Sequence, residues 1–197
     1  AKWAEKLEFT IDNNGVVNIK LKGLKLNLKN EDELKATVYL KNPYSLQASS
    51  SATITAKTPI KTATLNIDIN SSGKINIPDL TATNRVVING SSSGDIEAKI
   101  TAPLLRCDVN SSASADLEYT GTEAVLNAAS SADIDIKGSA NKVTATANSA
   151  ERSTLQRRPH AVLILQEKSP CMSQTHSLHS PAQEHQSYTA EIPISNP

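Results

Sequence analysis

Ser71-Ser72-Gly73-Lys74-Ile75 returns 21 residues later as Ser92-Ser93-Gly94-Asp95-Ile96. An earlier copy is Ser50-Ser51-Ala52-Thr53-Ile54, a looser one runs from Ser111 to Leu117, and the last is Ser130-Ser131-Ala132-Asp133-Ile134. The aliphatic residues that close the phrases are Ile54, Ile75, Ile96, Leu117 and Ile134, at steps of 21, 21, 21 and 17. A repeat this regular implies stacked coils, each burying its apolar residues against the next. Each period predicts two short strands. Leu65/Ile67, Val86/Ile88 and Cys107/Val109 precede the phrase, and Ile75/Ile77, Ile96/Ala98 and Leu117/Tyr119 follow it. Ser, Gly and Asn belong at the corners, where small residues permit tight bends. The expected fold is all-β: a right-handed parallel β-helix (β-solenoid) with coils of about 21 residues.

Upstream of the repeat, Leu7, Phe9 and Ile11 alternate with polar residues, as do Val17, Ile19 and Leu21. Asn13-Asn14-Gly15 between them signals a hairpin turn. Leu24, Leu26 and Leu28 continue the alternation, and Ala36 to Leu40 reads as a further strand before Asn42-Pro43. The reading is one domain over residues 1–150, with N-terminal strands in 7–41.

The totals narrow the function classes. Lys plus Arg and Asp plus Glu are 20 each, so the formal net charge is zero, which argues against a nucleic-acid binder. The scarce aromatics (Trp3, Phe9, Tyr39, Tyr44, Tyr119, Tyr188) leave a core of Ile, Leu, Val and Ala. No apolar run is long enough for a membrane-spanning helix, and no signal peptide is read at the start. Cys107 alternates with Leu105 and Val109 and reads as a small buried apolar residue. No spacing pattern pairs it with Cys171.

Composition changes at Ala150. Residues 151–197 hold all four His (His160, His176, His179, His185), the single Met172 and five of the nine Pro, but none of the seven Gly. One reading is a natural, disordered Pro/Gln/His-rich tail. The other is a shift of reading frame. When Gln166 to Leu178 is back-translated and each new codon takes the last base of one residue and two of the next, the text can read Gly-Lys-Val-Ser-Val-Tyr-Val-Thr-Asn. Gln183 to Pro193 permits Gly-Thr-Ser-Val-Ile-Tyr-Arg-Gly-Asn-Pro, and the overlaps around Ser153 permit Val-Asn. On that reading the segment is a poorly packed, out-of-frame tail whose His and Cys carry no selected function.

The phrases Ser92-Ser93-Gly94-Asp95-Ile96 and Ser130-Ser131-Ala132-Asp133-Ile134, with the lead-in Val38 to Ser49, resemble the Ser-Gly-Ser-Gly-Asp-Ile repeats of a bacterial family. This is the auto-transporter adhesin head domain, or head GIN domain, common in Bacteroidetes. The resemblance covers roughly residues 5–150. It implies a secreted or cell-surface protein with a β-helix-like fold, and no catalytic residues to carry over. Ala or Asn replaces Gly in several corner phrases.

Acidic residues follow three corners: Asp95 and Glu97, Asp116 and Glu118, Asp133 and Asp135. Stacked, they would form a carboxylate ladder able to hold a cation or to act on a polysaccharide. They are equally what a solvated outward face produces. Lys74 interrupts the ladder and Thr53 takes its first slot. Asn70-Ser71-Ser72, Asn89-Gly90-Ser91 and Asn110-Ser111-Ser112 match a glycosylation acceptor pattern, but they recur with the corners. Residues 1–150 contain no His, which weakens any Ser-His enzyme. The expectation is no catalytic residue, no metal and no cofactor. Function is read as a non-enzymatic, cell-envelope or secreted adhesin-like module binding a glycan or surface protein, with self-association through an open solenoid edge. The alternatives are a polysaccharide-degrading enzyme using stacked carboxylates and a structural stalk.

Overall fold

The structure is a computed structural model that describes residues 7–12, 16–21, 36–148, 152–157, 162–167 and 187–190. The chain divides into two compact units, Ala1–Leu40 and Lys41–Pro197.

In the first unit, β1 (Leu7–Ile11) pairs antiparallel with β2 (Val17–Leu21), with Phe9 opposite Ile19. The alternating residues give the hairpin one apolar face, on which Phe9, Ile11 and Ile19 are exposed. The turn residues 13–15 and the Leu24, Leu26 and Leu28 stretch lie outside the described residues. Ala36 to Leu40 forms no strand, contrary to the reading from alternation, and all five residues are exposed. Alternation supplies a face but not a partner strand.

The second unit is an all-β solenoid, with no helix among the described residues. Its strands are β3 (Ser45–Ala48), β4 (Thr53–Thr55), β5 (Ile60–Ile69), β6 (Lys74–Gly90), β7 (Asp95–Asn110), β8 (Ser114–Ala129), β9 (Asp133–Asn148), β10 (Arg152–Arg157), β11 (Val162–Glu167) and β12 (Ser187–Ala190). Successive coils from β3 to β11 pair in parallel, and only β12 runs antiparallel, against β10. The stack makes about five turns. The rest of 151–197, with the four His, Met172 and Cys171, lies outside the described residues.

Each coil from β6 to β9 is one long strand rather than two short ones, and the face that points inward changes partway along it. In β7 the buried residues are Ile96, Ala98, Ile100 and Ala102, then Leu105, Cys107 and Val109. The interval of three at Pro103 turns the chain without breaking its ladder. In β6 the corresponding irregularity falls between Thr81 and Arg85, and a second one lies between Ile77 and Leu80, at Pro78. Proline lacks the donor that a regular ladder position requires.

The register corrects the repeat read from the sequence. Ile54, Ile75, Ile96, Ala115 and Ile134 form one column, at steps of 21, 21, 19 and 19. Leu117 lies beside Ala98 rather than Ile96, and Cys107 beside Ile88 rather than Val86. The serines set this register. Ser50-Ser51, Ser71-Ser72, Ser92-Ser93, Ser111-Ser112 and Ser130-Ser131 all have positive φ, between 50 and 65°. The nitrogen of Gly73 donates to the Asn70 carbonyl at 2.9 Å, and Gly94 and Ala113 repeat the contact at 3.0 and 3.2 Å. Two left-handed central residues closed by this bond form the corner of a type I′ turn. The corners also bond to one another: Ser72 N–H to Ser92 O at 3.1 Å, and Ser93 N–H to Ser111 O at 3.1 Å. When the coil shortens by two residues after Asp95, the corner keeps its place and the strand residues shift.

Inward columns are aliphatic and dry. Leu65, Val86, Leu105 and Ala124 are each 0% exposed. Tyr119 is the one ring in this core, and its space comes from glycines. Gly138 lies beside it in the next coil, and a Cβ on Gly121 would collide with the tyrosine ring and the Ala102 carbonyl. Its hydroxyl lies 2.8 Å from the Glu123 carbonyl and 2.9 Å from that of Ala102, so its single proton serves the bend left open by the phase change.

Candidate binding face

The two-residue contraction also rearranges the carboxylates. Asp95 aligns with Ser114 and then Asp133, not with Asp116. Glu97, Asp116 and Asp135 form the neighbouring column, and Glu118 lies between Lys99 and Lys137 in a third. The six predicted acids therefore occupy three columns of one outer face.

Two of these columns mix charges of both signs. Lys74 Nζ donates to Asp95 Oδ2 at 2.6 Å, and Ser114 Oγ donates to Asp95 Oδ1 at 2.9 Å. Partial burial opposes ionisation of Asp95, but these two hydrogen bonds outweigh it and hold its pKa below the usual carboxylate value. The same bond raises the pKa of Lys74. Lys99 Nζ donates to Glu118 Oε1 at 2.8 Å, which raises the pKa of Lys99 in turn.

The middle column differs. Glu97, Asp116 and Asp135 stack like charges at strand spacing, about 4.8 Å per step, an arrangement that is unfavourable by itself. Asn76 Nδ2 donates to Glu97 Oε2 at 3.1 Å. One buried oxygen of Asp135 has no hydrogen-bond partner among the described residues. Beside this column runs an open groove of about 440 Å³. Asn76, Pro78, Glu97, Lys99, Asp116 and Lys137 line it, so it crosses four coils, a length of roughly 14 Å. Neither the Asp116 nor the Lys137 side chain makes a hydrogen bond or ion pair among the described residues.

The sequence model of one family, described as "Putative auto-transporter adhesin, head GIN domain", matches residues 1–150. The chain belongs to this family. No curated protein and no solved structure matches it. An adhesin head suggests a cell-surface or secreted protein that is not an enzyme.

A second polar column of this head domain, on the strand segments that precede the serine corners, carries no carboxylate alignment of that kind. Asp68, Asn89, Asp108 and Asn127 alternate acid with amide. Asn89 Nδ2 donates to Asp68 Oδ1 at 2.9 Å, and Asn127 Nδ2 donates to Asp108 Oδ1. Arg106 Nε adds a bond to Asp108 Oδ2 at 2.6 Å. Sequence reading missed this ladder, although the steps from Asp68 to Asn89 and from Asp108 to Asn127 could have revealed it.

Cys107 is a free thiol with 0% exposure, and burial pushes its pKa up to about 12. That removes it as a nucleophile at neutral pH. Among the described residues no group of three His, Cys, Asp or Glu is placed to hold a metal ion. No helix there is long and apolar enough to cross a membrane.

Proposed function

We propose that this head domain is a non-enzymatic, adhesin-like module that binds a surface glycan along the groove beside Glu97, Asp116 and Asp135. The observation that carries the reading is the groove itself. It is open, it runs across the coils, and its lining combines an amide, carboxylates and ammonium groups with the flat side of Pro78. Hydroxyl-rich ligands are recognised by such mixed donors and acceptors. The rigid strands fix these groups before binding, which limits the ordering penalty. A binding head of this kind fits a cell-envelope or secreted location.

Glycan-array binding of the purified chain tests the proposal, with Asp116→Asn and Lys137→Gln as variants. Retention of a defined glycan set by the wild type, lost in both variants while thermal unfolding stays unchanged, is expected. No retained glycan overturns the proposal. Release of reducing ends from a bound polysaccharide would replace it with the enzymatic alternative, since the three stacked carboxylates could then supply acid and base.

A further inference from the structure

The register defines what the coil after β9 must supply. Arg152, Ser153, Thr154 and Leu155 lie beside Asp133, Ile134, Asp135 and Ile136. Ser153 therefore takes the column of Ile54, Ile75, Ile96, Ala115 and Ile134, whose last four members are at most 2% exposed. A serine thus takes a register position where every preceding coil has an apolar residue, and burial of a hydroxyl is unfavourable without a partner. The family match stops at residue 150.

We infer that one base is missing from the coding sequence at the junction of Ser149 and Ala150, so that residues 151–197 are read out of frame. Let Ser149 to Thr154 be encoded by TCA, GCG, GAA, AGG, TCA and ACG, and Leu155 by TTA or TTG. With one base restored, Asn148-Ser149 continues as Ser-Gly-Lys-Val-Asn-Val. That text repeats Asn70-Ser71-Ser72-Gly73-Lys74-Ile75-Asn76-Ile77, with Val for Ile at two places. The corner position receives glycine, as at Gly73 and Gly94, and the Ile134 column receives valine. The second left-handed corner position receives serine, matching the other five corners. Codon degeneracy makes a short match easy to obtain. The structure adds a demand that degeneracy does not meet by itself, because each restored residue must also fit a column whose burial is already set. The same frame yields the alternating strand text beyond Gln166 and the glycine-containing text beyond Gln183.

Sequencing the coding DNA, with an independent read of the same locus from the source organism, tests the inference. The six named codons are expected, and the independent read should carry one additional base between Ser149 and Ala150. A CGN codon at Arg152 or a CTN codon at Leu155 would overturn it. So would an independent read that keeps this frame through Pro197, whatever the codons.

Discussion

Replacing Ser92 and Ser93 with glycine should stabilise the protein. Both residues hold left-handed backbone, with φ of 52 and 63°. An L-residue in that region is disfavoured by roughly 1–2 kcal/mol relative to right-handed backbone. Glycine relieves that strain but brings back about 0.5–1 kcal/mol of unfolded-state freedom. The net gain is about 0.5–1 kcal/mol per site, or about 1–2 kcal/mol for the pair. The corner bonds survive, because Ser93 N–H to Ser111 O and Ser72 N–H to Ser92 O are backbone contacts. Urea unfolding reports the change as a rise in midpoint at constant m. Ser139→Gly is the control: it sits in the extended strand β9, is exposed, and should lose about 0.5–1 kcal/mol. Opposite signs at the two places are the expected result. A loss at Ser92→Gly/Ser93→Gly equal to that at Ser139→Gly would refute the reasoning, because the serine hydroxyls would then stabilise the corners by more than the backbone strain.

Tyr119→Phe should destabilise by about 1–3 kcal/mol in chemical unfolding, since the Ala102 and Glu123 carbonyls at the bend lose their donor. Burial also pushes the Tyr119 pKa up to about 12, so its stabilisation is full below pH 10 and is lost as pH rises toward 12, and the variant should lack that part of the alkaline decline. In a Cys171→Ser background, a thiol reagent at pH 8 should leave Cys107 unmodified until denaturant unfolds the solenoid; stoichiometric labelling of native protein would contradict its burial. Asp95 has the opposite sign to Tyr119: its lowered pKa gives stability present above about pH 4 and lost as pH falls through the folded value. Asp95→Asn should therefore flatten the acid limb of a stability–pH curve, and an unchanged limb would show that the Lys74 and Ser114 bonds contribute nothing.

The fold was legible because its signal is redundant. Five serine phrases, each followed by alternating aliphatic residues, define parallel coils without any knowledge of partners. The register was less legible, because an aliphatic anchor is ambiguous by two residues in an alternating strand. Ala115 and Leu117 both point inward, and the larger one looked like the anchor. The corner backbone decides the matter: Ser111 and Ser112 must hold positive φ, which fixes Ala113 in the buried corner and Ala115 in the Ile96 column. The N-terminal alternation was readable as a hairpin for the same reason, since Leu7 to Leu21 carries its turn signal within it, whereas Ala36 to Leu40 carries none.

The candidate site shows how a small register error changes chemistry. With Leu117 as anchor, the acids form two parallel rows, Asp95 with Asp116 and Glu97 with Glu118, and both rows look like ligand ladders. With Ala115 as anchor, Asp95 finds Lys74 and Ser114, Glu118 finds Lys99, and three of the six acids (Asp95, Asp133 and Glu118) lie in columns that contain a cation. Like charge persists only in Glu97, Asp116 and Asp135, the column that borders the groove. Elsewhere on the two outer faces the chain alternates sign or replaces an acid with an amide, as Asn89 and Asn127 do beside Asp68 and Asp108. Stability alone would favour the same alternation at Asp116. Its retention beside an open groove, next to the unpaired ammonium of Lys137, is the reason to look for the ligand there rather than along the serine corners.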